Sequence, residues 1–383
     1  MSGDAPIWGR ILFLRVFKIG RYQGFEGVHG KENALPFYVR EAVSATDTRA
    51  RRMTKAYMAT IRRNRKIRTT FLVLSIALAF SSFGATRVKA KPFVKWAGGK
   101  GQLLSQLDAL LPKNLPERKG LVYVEPFVGG GAMLFHMLVQ YPNIERAVIN
   151  DVNEDLITCY RIVKSNPQGL VSELRVLQNE FWAKEDEPSR KAMYLAKRDR
   201  YNSRKATAVE TAALFIFLNR TCFNGLYRVN SKGKFNVPFG KAVRPLICDE
   251  DTIRADSILL GKVEILCGDF ASVANAVSSR AFVYFDPPYR PLTQTAAFTA
   301  YSKGGFDDNE QRRLAELCRK LDKAGHQWLL SNSDPHNANP GDMFFEKLYA
   351  GFDINRVSAG RTINSKADRR GKVSELAIRN YKE

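Results

Sequence analysis

The sequence has little of what metal and covalent catalysis most often use. Among 383 residues there are four histidines and five cysteines. No two of Cys159, Cys222, Cys248, Cys267 and Cys318 form a C-x-x-C pair, and none sits with histidines at zinc-ligand spacing. A metal site or a His-based triad has almost nothing to draw on, and no metal is expected. The thiols read as free cysteines of a reducing compartment. Acid is scarce as well. The formal net charge is +22, of which +12 falls in residues 1–90 and +10 in the rest. Such an excess favours a polyanionic partner, either nucleic acid or an anionic membrane face. The length suits about two domains with a sizeable core.

Long apolar runs are few. Arg49 to Arg68 is crowded with Arg and Lys and holds no acid; Phe71 to Phe80 follows, then small residues. This order resembles a signal peptide, but one that begins about 50 residues late. The apolar run is short for a membrane-spanning helix. Residues 1–90 are expected to be a basic, poorly ordered extension or the product of a mis-called start, with Met58 as an internal alternative. A membrane anchor is the disfavoured reading, and the expected location is the cytoplasm, at the nucleoid.

From Lys91 the pattern is that of an α/β protein. Leucine spacing predicts a helix over 102–111. Strands are expected at 121–124, 147–149, 263–266, 281–285, 327–330 and 375–378, with helices at 132–140 and 308–324. Residues 154–220 read as mostly helical, and 226–237 as a β-hairpin around Ser231-Lys232-Gly233. The simplest organisation is a catalytic sheet domain, 91–154 and 259–383, interrupted by an insertion at 155–258.

Three motifs carry chemistry. Asp286-Pro287-Pro288-Tyr289 directly follows an apolar strand, where ligands bind in open α/β sheets. Two prolines make the loop rigid. Asp286 and the Pro287 carbonyl can accept the two N–H bonds of a nucleobase amino group, and Tyr289 offers a face for stacking. A structural Pro-Pro turn is the plainer alternative. Glu125-Pro126-Phe127-Val128-Gly129-Gly130-Gly131 lies between a strand and a helix and lets a ligand approach the backbone. It lacks the Lys-Ser/Thr of a P-loop. Asp151, about 20 residues on, can bind ribose hydroxyls. The pair fits a dinucleotide or S-adenosylmethionine equally, and a glycine turn with a capping Asp remains open. Lys95-Trp96-Ala97-Gly98-Gly99-Lys100 places an aromatic and two cations at a glycine turn; alone, it reads as a surface Lys and a core Trp.

In order and sequence these blocks resemble the Dam-type adenine-N6 DNA methyltransferases. The likeness covers roughly residues 91–383, about three quarters of the chain, and includes Asn219 to Arg228 and Phe235 to Gly240. It implies a Rossmann-like S-adenosylmethionine-dependent sheet with an inserted, mostly helical DNA-recognition domain carrying a β-hairpin. It further implies that Trp96, Lys100, Glu125, Phe127, Gly129, Asp151 and Asp286 form the cofactor pocket. Asp286, Pro287 and Tyr289 would hold a flipped adenine, and Lys95, Asn224, Leu226, Arg228 and Pro238 would meet duplex DNA. Residues 1–90 carry no likeness.

Most of the catalysis should be positioning of N6, methyl carbon and sulfur in line, without a covalent nucleophile. Arg190, Lys191, Lys197, Arg198 and Arg200, and Arg361, Lys366, Arg369, Arg370 and Lys372, form basic clusters suited to phosphates. The five readers resemble those of relatives that methylate GATC, so a GATC or GATC-like target is expected. Ala242 stands where such relatives usually carry an aromatic, which relaxes readout of the outer base pair. Two rivals remain: another planar amino or amide acceptor (cytosine N4, RNA or a protein glutamine), and a DNA-binding protein without activity.

Overall fold

Strand β1 (Leu121–Glu125) is buried along its whole length, which is why it reads as an unbroken apolar run. Its side chains alternate between two cores. Tyr123 joins one face, Val122 and Val124 the other. In the computed structural model the described residues are 90–277, 280–292, 306–360 and 372–382. The N-terminal extension, with Met58 and Phe71 to Phe80, lies outside the described residues, as do Arg361, Lys366, Arg369 and Arg370.

The elements run α1 (Leu104–Asp108), β1, α2 (Ala132–Gln140), β2 (Ile144–Ile149), α3 (Glu154–Ser165), α4 (Pro167–Trp182), α5 (Glu187–Asn202), α6 (Ala208–Thr221), α7 (Glu250–Leu260), β3 (Val263–Ile265) and β4 (Ala281–Phe285). They continue with α8 (Asp308–Lys323), β5 (Gln327–Ser333), α9 (Phe344–Leu348), β6 (Asp353–Gly360) and β7 (Lys372–Arg379). The strands form one seven-stranded sheet in the order β3-β2-β1-β4-β5-β7-β6. β3 to β5 in that order pair in parallel, and β7 is antiparallel to both β5 and β6. The order reverses between β1 and β4. A crevice therefore opens beyond their carboxyl ends, where the glycine loop and Asp286 both lie.

The helical stretch between β2 and β3 is organised around α6. This helix is apolar on nearly all sides, with Ala212 to Asn219 buried, as expected of a helix enclosed by others. The Thr207 hydroxyl accepts the Glu210 N–H to start it. The core of α3, α4 and α6 is continuous with the face of the sheet that holds Tyr123.

Three expectations change. The helix predicted over 102–111 is reduced to a 3₁₀ turn and α1. Its leucines 103, 107 and 111 are still buried, so the pattern reported burial rather than helix length. The expected hairpin has no strands. It closes through one bridge, Val229 with Phe235, and through Asn230 N–H to the Lys234 carbonyl at 2.9 Å. No sheet adjoins it to extend the ladder. The Asn230 side chain also takes the N–H groups of Lys232 and Lys234, each at 3.0 Å, building a turn instead. Finally, β6 was not foreseen. It is a half-polar edge strand, with Val357 its buried aliphatic.

Candidate active site

The carboxyl ends of β1, β2, β3 and β4, with the segment before α1, enclose a cavity of about 1140 Å³. Its floor is the glycine loop. Gly129 and Gly131 have φ of 47° and 76°, in the left-handed region. A Cβ on Gly129 would lie 2.8 Å from Trp96 Cδ1, and one on Gly130 would lie 2.9 Å from Trp96 Cβ. The glycines are thus needed for Trp96 to lie on the loop. That indole also meets the insertion. Trp96 stacks on Tyr227 at 5.8 Å and on Phe215 at 6.4 Å between ring centroids.

Carboxylates ring the cavity. Asp151 Oδ2 accepts the Gly129 N–H at 3.0 Å, and Oδ1 accepts the Asn153 N–H at 2.9 Å. A carboxylate has about four acceptor positions, so Asp151 keeps capacity for a ligand. Glu125 is 2 % exposed and accepts the Tyr123 hydroxyl at 2.7 Å. Asp286, at the end of β4, pairs through Oδ1 with Lys100 Nζ at 2.8 Å. Lys100 also donates to the Gly98 carbonyl at 2.8 Å and sits 4.6 Å above the Tyr289 ring. Burial pushes the carboxyls of Glu125, Asp151 and Asp286 up from their ordinary values. Lys100 opposes that rise at Asp286 and Glu375 adds to it. Acid outnumbers base here, and such a site suits a ligand with a positive centre.

Phe127, Phe270 and Phe306 also line the cavity, meeting at 5.2–5.6 Å. Asp269, beside them, is held by two bonds from Arg313. A slot of aromatic rings, spare carboxylate acceptors and a glycine edge fit an adenosyl group with its ribose diol and cationic sulfur.

The structure brings Trp96, Lys100, Glu125, Phe127, Gly129, Asp151, Asp286, Pro287 and Tyr289 to this one cavity. Tyr289 is further held by its hydroxyl, which donates to Glu375 Oε2 on β7 at 2.5 Å. The residues expected at DNA are not among those lining the cavity. Lys95, Asn224, Leu226, Arg228 and Pro238 are all exposed, whereas Tyr227 and Val229 are half-buried. Arg228 is folded back, its Nε 2.8 Å from Asn236 Oδ1.

The basic cluster on α5 reads differently from the sequence expectation. Arg190 is 9 % exposed and donates to the Lys184 and Glu185 carbonyls. Lys197 pairs with Glu180 and Arg200 with Glu210. These three are engaged within the protein, and Lys372 opens β7.

Sequence reasoning missed Asp269, Phe270, Phe306, Glu375 and Tyr227. Gly268-Asp269-Phe270 follows β3 much as Asn150-Asp151 follows β2, which was a usable signal. Glu375 gave none, because it reaches the site only through the antiparallel pairing of β7 with β5.

Comparison with known proteins identifies the family. Residues 96–363 match the family described as D12 class N6 adenine-specific DNA methyltransferase. The type II methyltransferase M.MjaIII of Methanocaldococcus jannaschii is 50 % identical over 297 residues, covering 77 % of this chain and 100 % of the relative. The DNA adenine methylase of Haemophilus influenzae is 35 % identical over 291 residues, covering 76 % and 93 %. That of Escherichia coli K12 is 33 % identical over 288 residues, covering 75 % and 94 %. The chain belongs to the D12 class of N6 adenine-specific DNA methyltransferases, enzymes that move a methyl group from S-adenosylmethionine to adenine N6 in DNA.

Proposed function

We propose that this enzyme extrudes its target adenine from the duplex and methylates it at a GATC or GATC-like site. In this reading residues 155–258 are the recognition domain, and residues 91–154 and 259–383 the catalytic one. Residues 1–90 stand outside both. Its place of action is the cytoplasm, at the nucleoid, where duplex and methyl donor are both available. The observation that carries the proposal is the meeting of Lys100, Asp286 and Tyr289 at the end of β4, within the cavity of the glycine loop.

N6 is paired inside the duplex and cannot be reached there. Once it is extruded, Asp286 and the Pro287 carbonyl accept its two N–H bonds. The nitrogen is held and its lone pair becomes available. Tyr289 stacks on the base, and Glu375 fixes the angle of the ring. Lys100 favours the ionised form of Asp286, against the effect of burial. When N6 gains its fourth substituent it must shed a proton, and Asp286 is the adjacent acceptor. S-adenosylmethionine supplies the electrophilic methyl carbon. In this reading Asp151 holds the ribose hydroxyls, Glu125 the cationic end, and Phe127 the adenosyl ring.

Exposure alternates along 226–230, so Leu226 and Arg228 share the outer face. Arginine matches guanine O6 and N7. Arg228 would leave Asn236 to read one side of the target, with Lys95 on the other and Asn224 and Pro238 beside them. Ala242 offers no ring to the outer base pair, whose readout is therefore relaxed.

Two measurements test this. DNA from cells expressing the enzyme should be protected from methylation-sensitive cleavage at GATC. Arg228→Ala should relax preference at a single base pair by about 1–3 kcal/mol against the wrong base. If the variant weakens all single-substituted duplexes alike, Arg228 grips phosphate; if GATC is not protected, the target assignment is wrong.

A further inference from the structure

We infer that Asn219 is the positioning residue that sets one register for base reading on both sides of the target adenine. The inference rests on the proposed reading roles of Lys95, Leu226 and Arg228. Asn219 lies in the last turn of α6 and is 3 % exposed. Its Oδ1 accepts the Lys95 N–H at 2.8 Å, while its Nδ2 donates to the Lys95 carbonyl at 2.8 Å and to the Gly225 carbonyl at 2.9 Å. One amide thus ties a segment 124 residues away to the turn six residues ahead. Only one orientation of the amide satisfies all three bonds, since two partners are carbonyls and one is an N–H.

The two loops also touch. Gly225 has φ +65°, and a Cβ there would fall 2.5 Å from Lys95 Cδ and 2.7 Å from Lys95 Cβ. Lys95 therefore stands at a fixed offset from Asn224 and Leu226, and all three side chains are exposed. A buried asparagine that served only α6 would bond within its own helix. This one spends its whole side chain on the junction between the segment leading into the cofactor motif and the loop expected at DNA.

Without the Asn219 amide, Lys95 and the reading loop lose their common frame. Discrimination should fall at the base pairs on both sides of the target together, while the cofactor pocket stays built. Asn219→Ala and Asn219→Asp test this; the second keeps the acceptor for Lys95 N–H and removes both donations. Gly225→Ala perturbs the same junction without altering Asn219, and it decides the matter if the Asn219 variants do not fold. Turnover is measured on the parent duplex and on duplexes carrying each single substitution, beside S-adenosylmethionine affinity. The expected result is a loss of about 10-fold in discrimination on both sides at once, with cofactor affinity within about twofold of the parent. Lys95→Ala and Arg228→Ala should each relax one side only. If those two relax one side each and the junction variants leave the ratios unchanged, or slow every duplex equally, Asn219 is merely structural and the inference fails. If Lys95→Ala and Arg228→Ala themselves weaken every sequence alike, the base-reading roles fail first.

Discussion

Asp286→Ala should lower kcat by about 10²–10³-fold, the range seen when one preorganised polar partner of a reacting atom is removed. Duplex affinity should stay within a few-fold, because the residues proposed to read the duplex, Lys95 and Arg228 among them, are untouched. The variant also strips Lys100 of its carboxylate. Lys100 is 5 % exposed and would keep its bond to the Gly98 carbonyl. Breaking a buried pair by removing one member costs about 3–5 kcal/mol, less here because the Asp286 side chain is 21 % exposed. Single-turnover kinetics and Tm should therefore be measured together. Asp286→Asn retains an acceptor and should fall between the two. A folded Asp286→Ala enzyme with near-normal turnover would remove Asp286 from the reaction.

The second large effect is on the cofactor. Asp151→Ala removes the acceptor of the Gly129 N–H and the capacity left for the ribose diol. Each charge-assisted hydrogen bond is worth about 1.5–3 kcal/mol, so S-adenosylmethionine affinity should drop about 10–150-fold. Calorimetry without DNA measures this directly, and unchanged affinity would move the pocket elsewhere. The same site predicts a pH dependence. Glu125, Asp151 and Asp286 all have raised pKa values, so each holds its proton to a higher pH than an ordinary carboxyl. Only the ionised forms attract a cationic sulfur, so affinity for S-adenosylmethionine should rise with pH through that raised range. Affinity for the neutral-sulfur product should rise less. Equal pH profiles for the two would show that these acids do not sense the sulfonium charge.

The catalytic half was legible because its motifs sit at strand ends. An unbroken apolar run such as 281–285 marks a strand covered on both faces, and the residues after it inherit a place at the crevice. Trp96 was legible as a neighbour of the cofactor motif, but not as a bridge to the insertion, because Tyr227 lies 131 positions away and only the folded chain stacks them. The hairpin was half legible. Alternation along 226–230 survives in the exposure pattern, while the strands do not form, since ladder bonds need a neighbour that the sequence cannot show. The local pairing of the α5 cations was not legible for a different reason. Charge counts do not reveal that Glu180 and Glu210 sit opposite Lys197 and Arg200. Glu375 was invisible because its partner Tyr289 is brought to it by the late reversal of β7.

The seam between the sheet and its helical insertion also bears on modularity. An insertion between two strands looks like a cassette that could be exchanged among relatives to transfer target preference. Here the seam is crossed by the Trp96–Tyr227 stack, by the Asn219 amide, by Arg220 donating to the Phe93 carbonyl at 2.9 Å, and by Gly225 against Lys95. Every one of these lands on Phe93 to Trp96, outside the insertion. A transplant cut at 155 and 258 would leave half of each contact behind. If the insertion reads the target as proposed, a working exchange would have to carry Phe93 to Trp96 with it.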